Sequence, residues 1–405
     1  MRVLQINTGV NTGSTGRIAE DIGKLLLEKG HESYIAYGRG SRPSASRLIR
    51  IGKDMDVYLH GLKTALTDRH AFGSTSATKA FIKEIDTISP DVIGMHNLHG
   101  YYLNIEVLFN YLSKKNIPLI WTLHDCWSFT GHCTYFDDIN CTKWQTGCGQ
   151  CPKLRKYPAS YVSDSSNINY LDKNRLFNSV NTLGIVVPSA WLGGLVEQSF
   201  LSKWPVHVIH NGVDINVFKP VDSDLKRRLG LEEKKVVMGC ASIWDKRKGL
   251  DDLVKLKDLL PADYAVVAVG LSEKQQKALP AGIVGVTRTE SVQQLVEYYN
   301  MASVFVNPTY QDNFPTTNIE ALACGTPVVT YETGGSPEAV DEFTGVVVPK
   351  GDLKAMASAI VRVAAAEDTY RDVCRERATK HFNKNTQFSA YVRICEEMST
   401  SKIYN

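Results

Sequence analysis

Two carboxylates and a basic turn carry the chemistry most readable in this sequence. Asp312 and Glu320 stand eight positions apart in Pro308-Thr309-Tyr310-Gln311-Asp312-Asn313-Phe314-Pro315-Thr316-Thr317-Asn318-Ile319-Glu320-Ala321-Leu322-Ala323-Cys324-Gly325. The apolar face of Ile319, Leu322 and Ala323 behind polar Thr316 and Thr317 predicts a helix starting at Asn318 and running to Gly325. A helix N-terminus offers unpaired N–H groups and partial positive charge, a natural seat for a diphosphate. Glu320, expected in the first turn, can accept two hydrogen bonds from a ribose diol. The basic turn is Lys246-Arg247-Lys248-Gly249, after a strand expected at residues 235–239. Its Lys248 can neutralise phosphates as a leaving group departs, and Arg247 can add a bidentate contact. Taken singly, Glu320 reads as a carboxylate complementing a helix dipole and Lys246–Lys248 as a solvated turn.

Histidines and cysteines form a second group. His96 ends a strand expected at residues 92–95, and His124 one at residues 119–123. Ligands of open parallel sheets gather at such strand ends. Asp125 follows His124 and can orient it; His99 is the weaker candidate. Thr12-Gly13-Ser14-Thr15-Gly16-Arg17 lacks the Gly-x-Gly-x-x-Gly order, and no acidic residue ends the strand at residues 33–37, which argues against a nicotinamide cofactor. Five of the nine cysteines lie between Cys126 and Cys151. Cys133, Cys141, Cys148 and Cys151, with Cys148 and Cys151 as a Cys-x2-Cys knuckle, supply four thiolates for a structural zinc, and His132 is a further donor. Free thiols or a disulfide are the competing reading. The segment is an insertion after His124, expected to border an acceptor site.

These residues need rigid strand ends. Short apolar runs at residues 3–7, 33–37, 92–95, 119–123 and 185–187 alternate with helical patterns, and the rhythm restarts at residues 235–239, 264–270, 304–306, 328–331 and 344–348. That is the signature of parallel sheets with crossover helices. At 405 residues the chain exceeds a single core. The expected division is an amino-terminal acceptor-side domain at 1–208 and a carboxy-terminal donor-binding domain at 209–384. A last helix from 385 should pack back on the first domain. The fold class is α/β, with two Rossmann-like sheets whose strand ends face a central cleft. Composition is ordinary, 43% hydrophobic and 22% charged, and a net charge of +3 is too mild to argue for nucleic acid. No signal peptide and no run of about 18 apolar residues is evident, so a cytoplasmic location is expected, with peripheral contact at the inner membrane face open.

In order and chemistry, four stretches resemble retaining GT-B glycosyltransferases, family 4 in particular. They are the acidic-x7-Glu run with Asp312 and Glu320, the Lys248-Gly249 turn, Val208 to Pro220 with its Asn-Gly-Val-Asp, and Pro90 to His96. The resemblance implies a nucleotide-sugar pocket over residues 307–338. In it Asp312 (commonly Glu) meets sugar hydroxyls, while Asn313, Phe314, Pro315, Thr316, Thr317 and Glu320 line the donor. Gly16, Gly334 and Gly335 admit close backbone, and Arg288 lies where the base is read. Arg247 stands in for an arginine usual five or six residues before the lysine. Asp312, Lys248, His124 and His96 become the catalytic set. The implied reaction is metal-independent, retaining sugar transfer from a UDP-sugar, with GDP next, to a saccharide or lipid-linked acceptor in polysaccharide or oligosaccharide synthesis. No cofactor is implied for catalysis, and the sequence shows no Asp-x-Asp metal pair near a strand end. A sugar-nucleotide epimerase of the same fold and a non-catalytic sugar-nucleotide binder are the alternatives; no pyridoxal-phosphate lysine motif supports a phosphorylase.

Overall fold

The computed structural model describes residues 1–401. The chain divides into two compact units, Met1–Ile209 with the C-terminal segment from Phe388, and His210–Gln387. In the first unit, seven strands form one sheet: β1 (Arg2–Asn7), β2 (Glu32–Tyr37), β3 (Arg47–Arg50), β4 (Val92–Met95), β5 (Leu119–Thr122), β6 (Leu183–Val187) and β7 (Val206–Val208), in the order β3-β2-β1-β4-β5-β6-β7. Every pairing is parallel. β4, β5 and β6 are buried at every position, as expected for strands covered on both faces. The strand order reverses between β1 and β4, so the loops after Asn7 and Met95 part there and leave a crevice. The last helix, Lys384–Ser401, contributes Phe388, Tyr391, Val392 and Cys395 to a cluster with Val3, Ile22, Ile120 and Val186.

The second unit holds β8 (Lys235–Cys240), β9 (Tyr264–Val269), β10 (Ile283–Val286), β11 (Val304–Asn307), β12 (Val328–Tyr331) and β13 (Gly345–Val348), all parallel, in the order β10-β9-β8-β11-β12-β13. Strand side chains alternate between faces. Val236, Met238 and Phe305 therefore join one core with Tyr299 and Leu322, while Val237, Val304 and Val306 join the other with Leu253 and Ile360. Here the order reverses between β8 and β11, and the loops that follow these two strands carry Lys248 and Asp312.

Two elements were not foreseen. Arg47-Leu48-Ile49-Arg50 is too short and too charged to stand out, yet it pairs with β2 as an edge strand. The helix Asp54–Thr67 buries only His60 and Thr64, so its apolar pattern points outward rather than to the core.

Candidate active site

After β8 the chain makes a short 3-10 turn, Lys246–Lys248, capped by the Asp245 carboxylate, which accepts from the Lys248 N–H at 2.9 Å. The Arg247 carbonyl accepts from the Tyr310 N–H at 2.7 Å, and Arg247 Nη1 donates to the Gln311 carbonyl at 2.8 Å. The loop after β8 is thus stitched to the loop after β11. Lys248 Nζ, carried on that turn, meets Asp312 Oδ2 in a short ion pair, and Asp312 Oδ1 accepts from the Asn313 N–H at 2.9 Å. Both side chains keep part of their surface open, 23% for Lys248 and 14% for Asp312.

The following helix is Thr316–Ala323, with Pro315 at its N-cap. It begins two residues before the expected Asn318, since proline supplies the φ that enters a helix. Glu320 consequently lies beyond the first turn, which holds no acidic residue. Thr316 and Thr317, not Glu320, stand at the anion-binding end. Glu320 is held instead by Tyr299, whose buried hydroxyl donates to Oε2 at 2.8 Å. Burial raises the Tyr299 hydroxyl well above its usual range, with the Glu320 charge adding, so it stays a donor. Asn307, at the end of β11, donates to Asn318 Oδ1 at 2.8 Å, and Asn318 donates to Ser336 Oγ at 3.0 Å. This buried relay fixes the helix to the strand end and to the turn after Gly335. Asn313 and Phe314 are buried, and Phe314 stacks on His210 at 4.8 Å. Both side chains are packed into the loop that follows β11. Arg288 lies exposed just past β10, the edge strand. β10 stands two strands from β8, which leads to Lys248, and three from β11, which leads to Asp312. Tyr299 was invisible in the sequence, lying 21 positions before Glu320 on another helix. Tyr299→Phe is expected to raise the KM of a ribonucleotide donor about fivefold, the worth of one hydrogen bond, with kcat little changed. A 2′-deoxy donor, which keeps only one of the two diol hydroxyls, should show a smaller difference between the two proteins in steady-state kinetics.

In the first unit, Gln5 Nε2 donates to the Ala19 carbonyl at 2.9 Å, which turns Gln5 Oε1 to His96 Nε2 at 3.1 Å. His96 therefore carries its proton on Nε2, and its Nδ1 accepts from His124 Nε2–H at 3.1 Å, the rings stacked 5.4 Å apart. The relay leaves the lone pair of His124 on Nδ1. Asp125 does not pair with His124, contrary to expectation. Its Oδ2 accepts from His99 Nε2 at 2.9 Å and its Oδ1 from the Trp127 N–H at 2.9 Å, and the Tyr157 hydroxyl sits 3.1 Å from His99 Nδ1. Burial would raise the Asp125 carboxyl, but His99 and the Trp127 N–H overcome it and hold the group below its ordinary range. Gln5 and Tyr157 lie far from these histidines in sequence, so spacing gave no signal of either.

Burial pushes His124 down to about 4, against the Asp125 charge that raises it and with His99 adding to the fall, and burial pushes His96 well below the usual histidine range, with His124 adding. Both are neutral at pH 7. The unfolded chain protonates such rings near 6.5, so between about pH 6.5 and 4 it binds more protons than the native state, and stability is lost as the pH falls through that window. The slope expected from these rings is about 1.4 kcal/mol per pH unit each. Denaturant melts at pH 7.5, 5.5 and 4.5 measure it, and His124→Gln should flatten the dependence; an unaltered slope in that variant contradicts the assignment.

Gly16 lies inside the helix Gly13–Glu28, buried, with the Asn11 N–H donating to its carbonyl at 3.0 Å. A Cβ there would stand 3.2 Å from Gly9 O, so the residue serves packing of its own loop. All nine cysteines are free, and Cys133, Cys141, Cys148 and Cys151 line one small cavity with Phe136 and Trp144. The Cys148 sulfur accepts from the Gly131 N–H at 3.2 Å, and Cys151 is lowered by its hydrogen bond with Cys133. His132 is not available as a ligand: Nδ1 meets buried Asp68 at 2.5 Å and Nε2 the Lys156 carbonyl at 3.3 Å. Among the described residues, no group of three or more His, Cys, Asp or Glu is poised to hold a metal ion.

Two doubly covered parallel sheets, with a basic turn and an acid at the second sheet's reversal point, define the class. The fold is GT-B: sucrose-phosphate synthase from Thermosynechococcus elongatus superposes with a TM-score of 0.74 over 99% of both chains at 18% identity. Anabaena HepE in complex with UDP superposes with a TM-score of 0.70 over 98% of this chain and 100% of its own, at 15% identity. Residues 15–217 match the family described as Glycosyltransferase Family 4, and residues 234–366 match Glycosyl transferases group 1. The chain belongs to glycosyltransferase family 4 and is a glycosyltransferase. Among its relatives, WcaC of Escherichia coli (strain K12), named for colanic acid biosynthesis, is 26% identical over 87% of this chain and 88% of its own length. D-inositol 3-phosphate glycosyltransferase of Kribbella flavida is 31% identical over 48% of this chain and 52% of its own.

Proposed function

We propose that this enzyme transfers a sugar from a nucleotide-sugar, a UDP-sugar first and a GDP-sugar next, to an acceptor hydroxyl, with retention and without a catalytic metal ion. The observation that carries the reading is the Lys248–Asp312 pair at the strand reversal, one cation for a leaving diphosphate beside one acid for sugar hydroxyls. HepE, a structural neighbour, has been solved with UDP and with UDP-glucose, which favours uridine. WcaC's name favours a saccharide or lipid-linked acceptor in surface-polysaccharide assembly.

In the reaction, the bond from the sugar C1 to the β-phosphate oxygen breaks as positive charge builds on the ring. The acceptor oxygen bonds to C1 on the same face, and its proton passes to the departing phosphate oxygen. Lys248, Arg247 and the N–H groups at Thr316 and Thr317 hold the growing phosphate charge. Glu320 takes the ribose diol and Asp312 the sugar, while the His124–His96 pair stays neutral in the first unit.

Thermal shift with UDP-, GDP- and ADP-sugars tests the donor. A UDP-sugar at about a hundred times its Kd should raise the melting temperature on the order of 5 °C. Nucleoside diphosphate should then appear only when acceptor is added. Release together with sugar interconversion in its absence points to an epimerase, and no shift with any donor defeats the reading.

The cysteine knuckle is proposed as a structural zinc site on its donor chemistry alone: four thiols around one cavity. Elemental analysis of purified protein is expected to find about one zinc per chain. Background metal, with titratable thiols, ends that proposal.

A further inference from the structure

The helix Asp54–Thr67 has an outer face that nothing in its own unit covers. Met55, Tyr58, Leu59, Leu62 and Leu66 recur at the three- and four-residue spacing of one helical stripe, and they are between 46% and 68% exposed. The stripe continues into a neighbouring loop. The Tyr161 N–H donates to the Ala65 carbonyl at 2.8 Å, which sets exposed Tyr161 and Val162 beside the helix end. An apolar patch of this extent on a soluble unit marks an interaction surface.

Its rim is basic. Arg50, Lys53, Arg155 and Lys156 are all exposed around it, and the Arg155 guanidinium lies 5.2 Å from the Tyr161 ring centre, while Lys63 Nζ donates to the Phe72 carbonyl at 2.8 Å. Three nearby carboxylates keep their charge and offset part of the rim's. Asp54 pairs with Arg50, Asp56 accepts from the Lys53 N–H, and Asp164 accepts from the N–H groups of Cys151 and Ser166. Leucines and tyrosines in the middle with cations outside are what an amphipathic segment presents to a bilayer interface. The same rim disfavours a second copy of the chain, which would set like charges against each other.

We propose that this face docks the enzyme on an anionic lipid surface. The inner side of the same helix fits that purpose. His60 accepts from the Ala71 and Gly73 N–H groups, and its ring meets Tyr101 at 6.0 Å, in the aromatic layer that also holds His70, Tyr157 and the Asp125-bound His99. The surface that meets lipid is thus the back of the element supporting that layer. Only the use of docking, delivery of a lipid-linked acceptor, rests on the proposed reaction.

Co-sedimentation with vesicles, about one-third phosphatidylglycerol in phosphatidylcholine, tests it without donor or acceptor, so failure here leaves the transfer reaction standing. The native chain should partition to these vesicles and weakly to pure phosphatidylcholine, with binding reduced by salt. The Leu59→Ser/Leu62→Ser variant should lose at least about tenfold in partitioning. Lys53→Glu/Arg155→Glu, which leaves the apolar stripe intact, should lose the preference for anionic vesicles; circular dichroism verifies that each variant is folded. No partitioning by the native chain, or unchanged partitioning by both variants, overturns the proposal. So does a native dimer that the leucine variant converts to monomer, because the face then belongs to a second copy.

Discussion

Lys248→Ala is expected to lower kcat/KM about a thousandfold. Loss of one preorganised donor to developing charge costs about 10²–10³ in rate. Here the cost should sit at the upper end, because the change also strips Asp312 of its partner. The ammonium is the group that meets Asp312 Oδ2, and without it a carboxylate faces the incoming diphosphate unpaired. Lys248→Arg keeps the charge but replaces a point donor with a planar fork, and should recover only part of the loss. Asp312→Ala should behave differently. It frees Lys248 for phosphate, so donor affinity should hold or improve while kcat falls, a pattern that marks an interaction made in the transition state. Steady-state kinetics with a fixed acceptor separate the two variants. Normal turnover in either alanine variant would falsify the assignment of the pair to the chemistry.

The second large effect is expected at a residue with no side chain. Gly249 has φ +75°, and a Cβ built there would lie 2.0 Å from the Pro308 carbonyl oxygen. Gly249→Ala must both occupy the left-handed region, which costs roughly 1–2 kcal/mol, and push the loop after β11 away. A total loss of about 2–4 kcal/mol in the stability of the second unit is expected, read as a lower urea midpoint. Donor affinity should fall further than stability alone predicts, because the contact that is forced apart sets the distance from Lys248 to Asp312. An unchanged midpoint with unchanged donor affinity removes Gly249 from this role. The Lys-Gly dipeptide is then physically explained: the lysine supplies charge, and the glycine lets its loop touch the neighbouring strand's loop.

Much of this was legible in the sequence because parallel strands buried on both faces read as unbroken apolar runs. The runs at 3–7, 92–95, 119–123 and 328–331 each lie on an observed strand, within a residue or so at either end. Their order, with helical periods between, is enough for a doubly wound α/β fold. Lys248, Asp312 and Glu320 were singled out for another reason: Asp312 and Glu320 stand eight positions apart in one stretch, and with the Lys248-Gly249 turn they follow the motif order of a known family. The edge strand Arg47–Arg50 escaped because one side of it is solvated and its charges hide the alternation. The helix Asp54–Thr67 escaped because its apolar stripe faces outward, and periodicity carries no sign that says in or out.

By itself, then, the sequence determined the fold class and the charged groups on the loops after the apolar runs, since these follow from short-range pattern, while sheet order decided which of those loops lie at a strand reversal. Only the tertiary structure decided the pairings. Strand order brings Asn7, His96 and His124 to neighbouring strand ends, giving His124 to His96 and Asp125 to His99. It also brings Tyr299 to Glu320 and Asp68 to His132, the latter taking a proposed zinc ligand out of use. Such partners are chosen by which strands lie side by side and by the need of each buried polar atom for a hydrogen bond, and neither is encoded at fixed spacing along the chain.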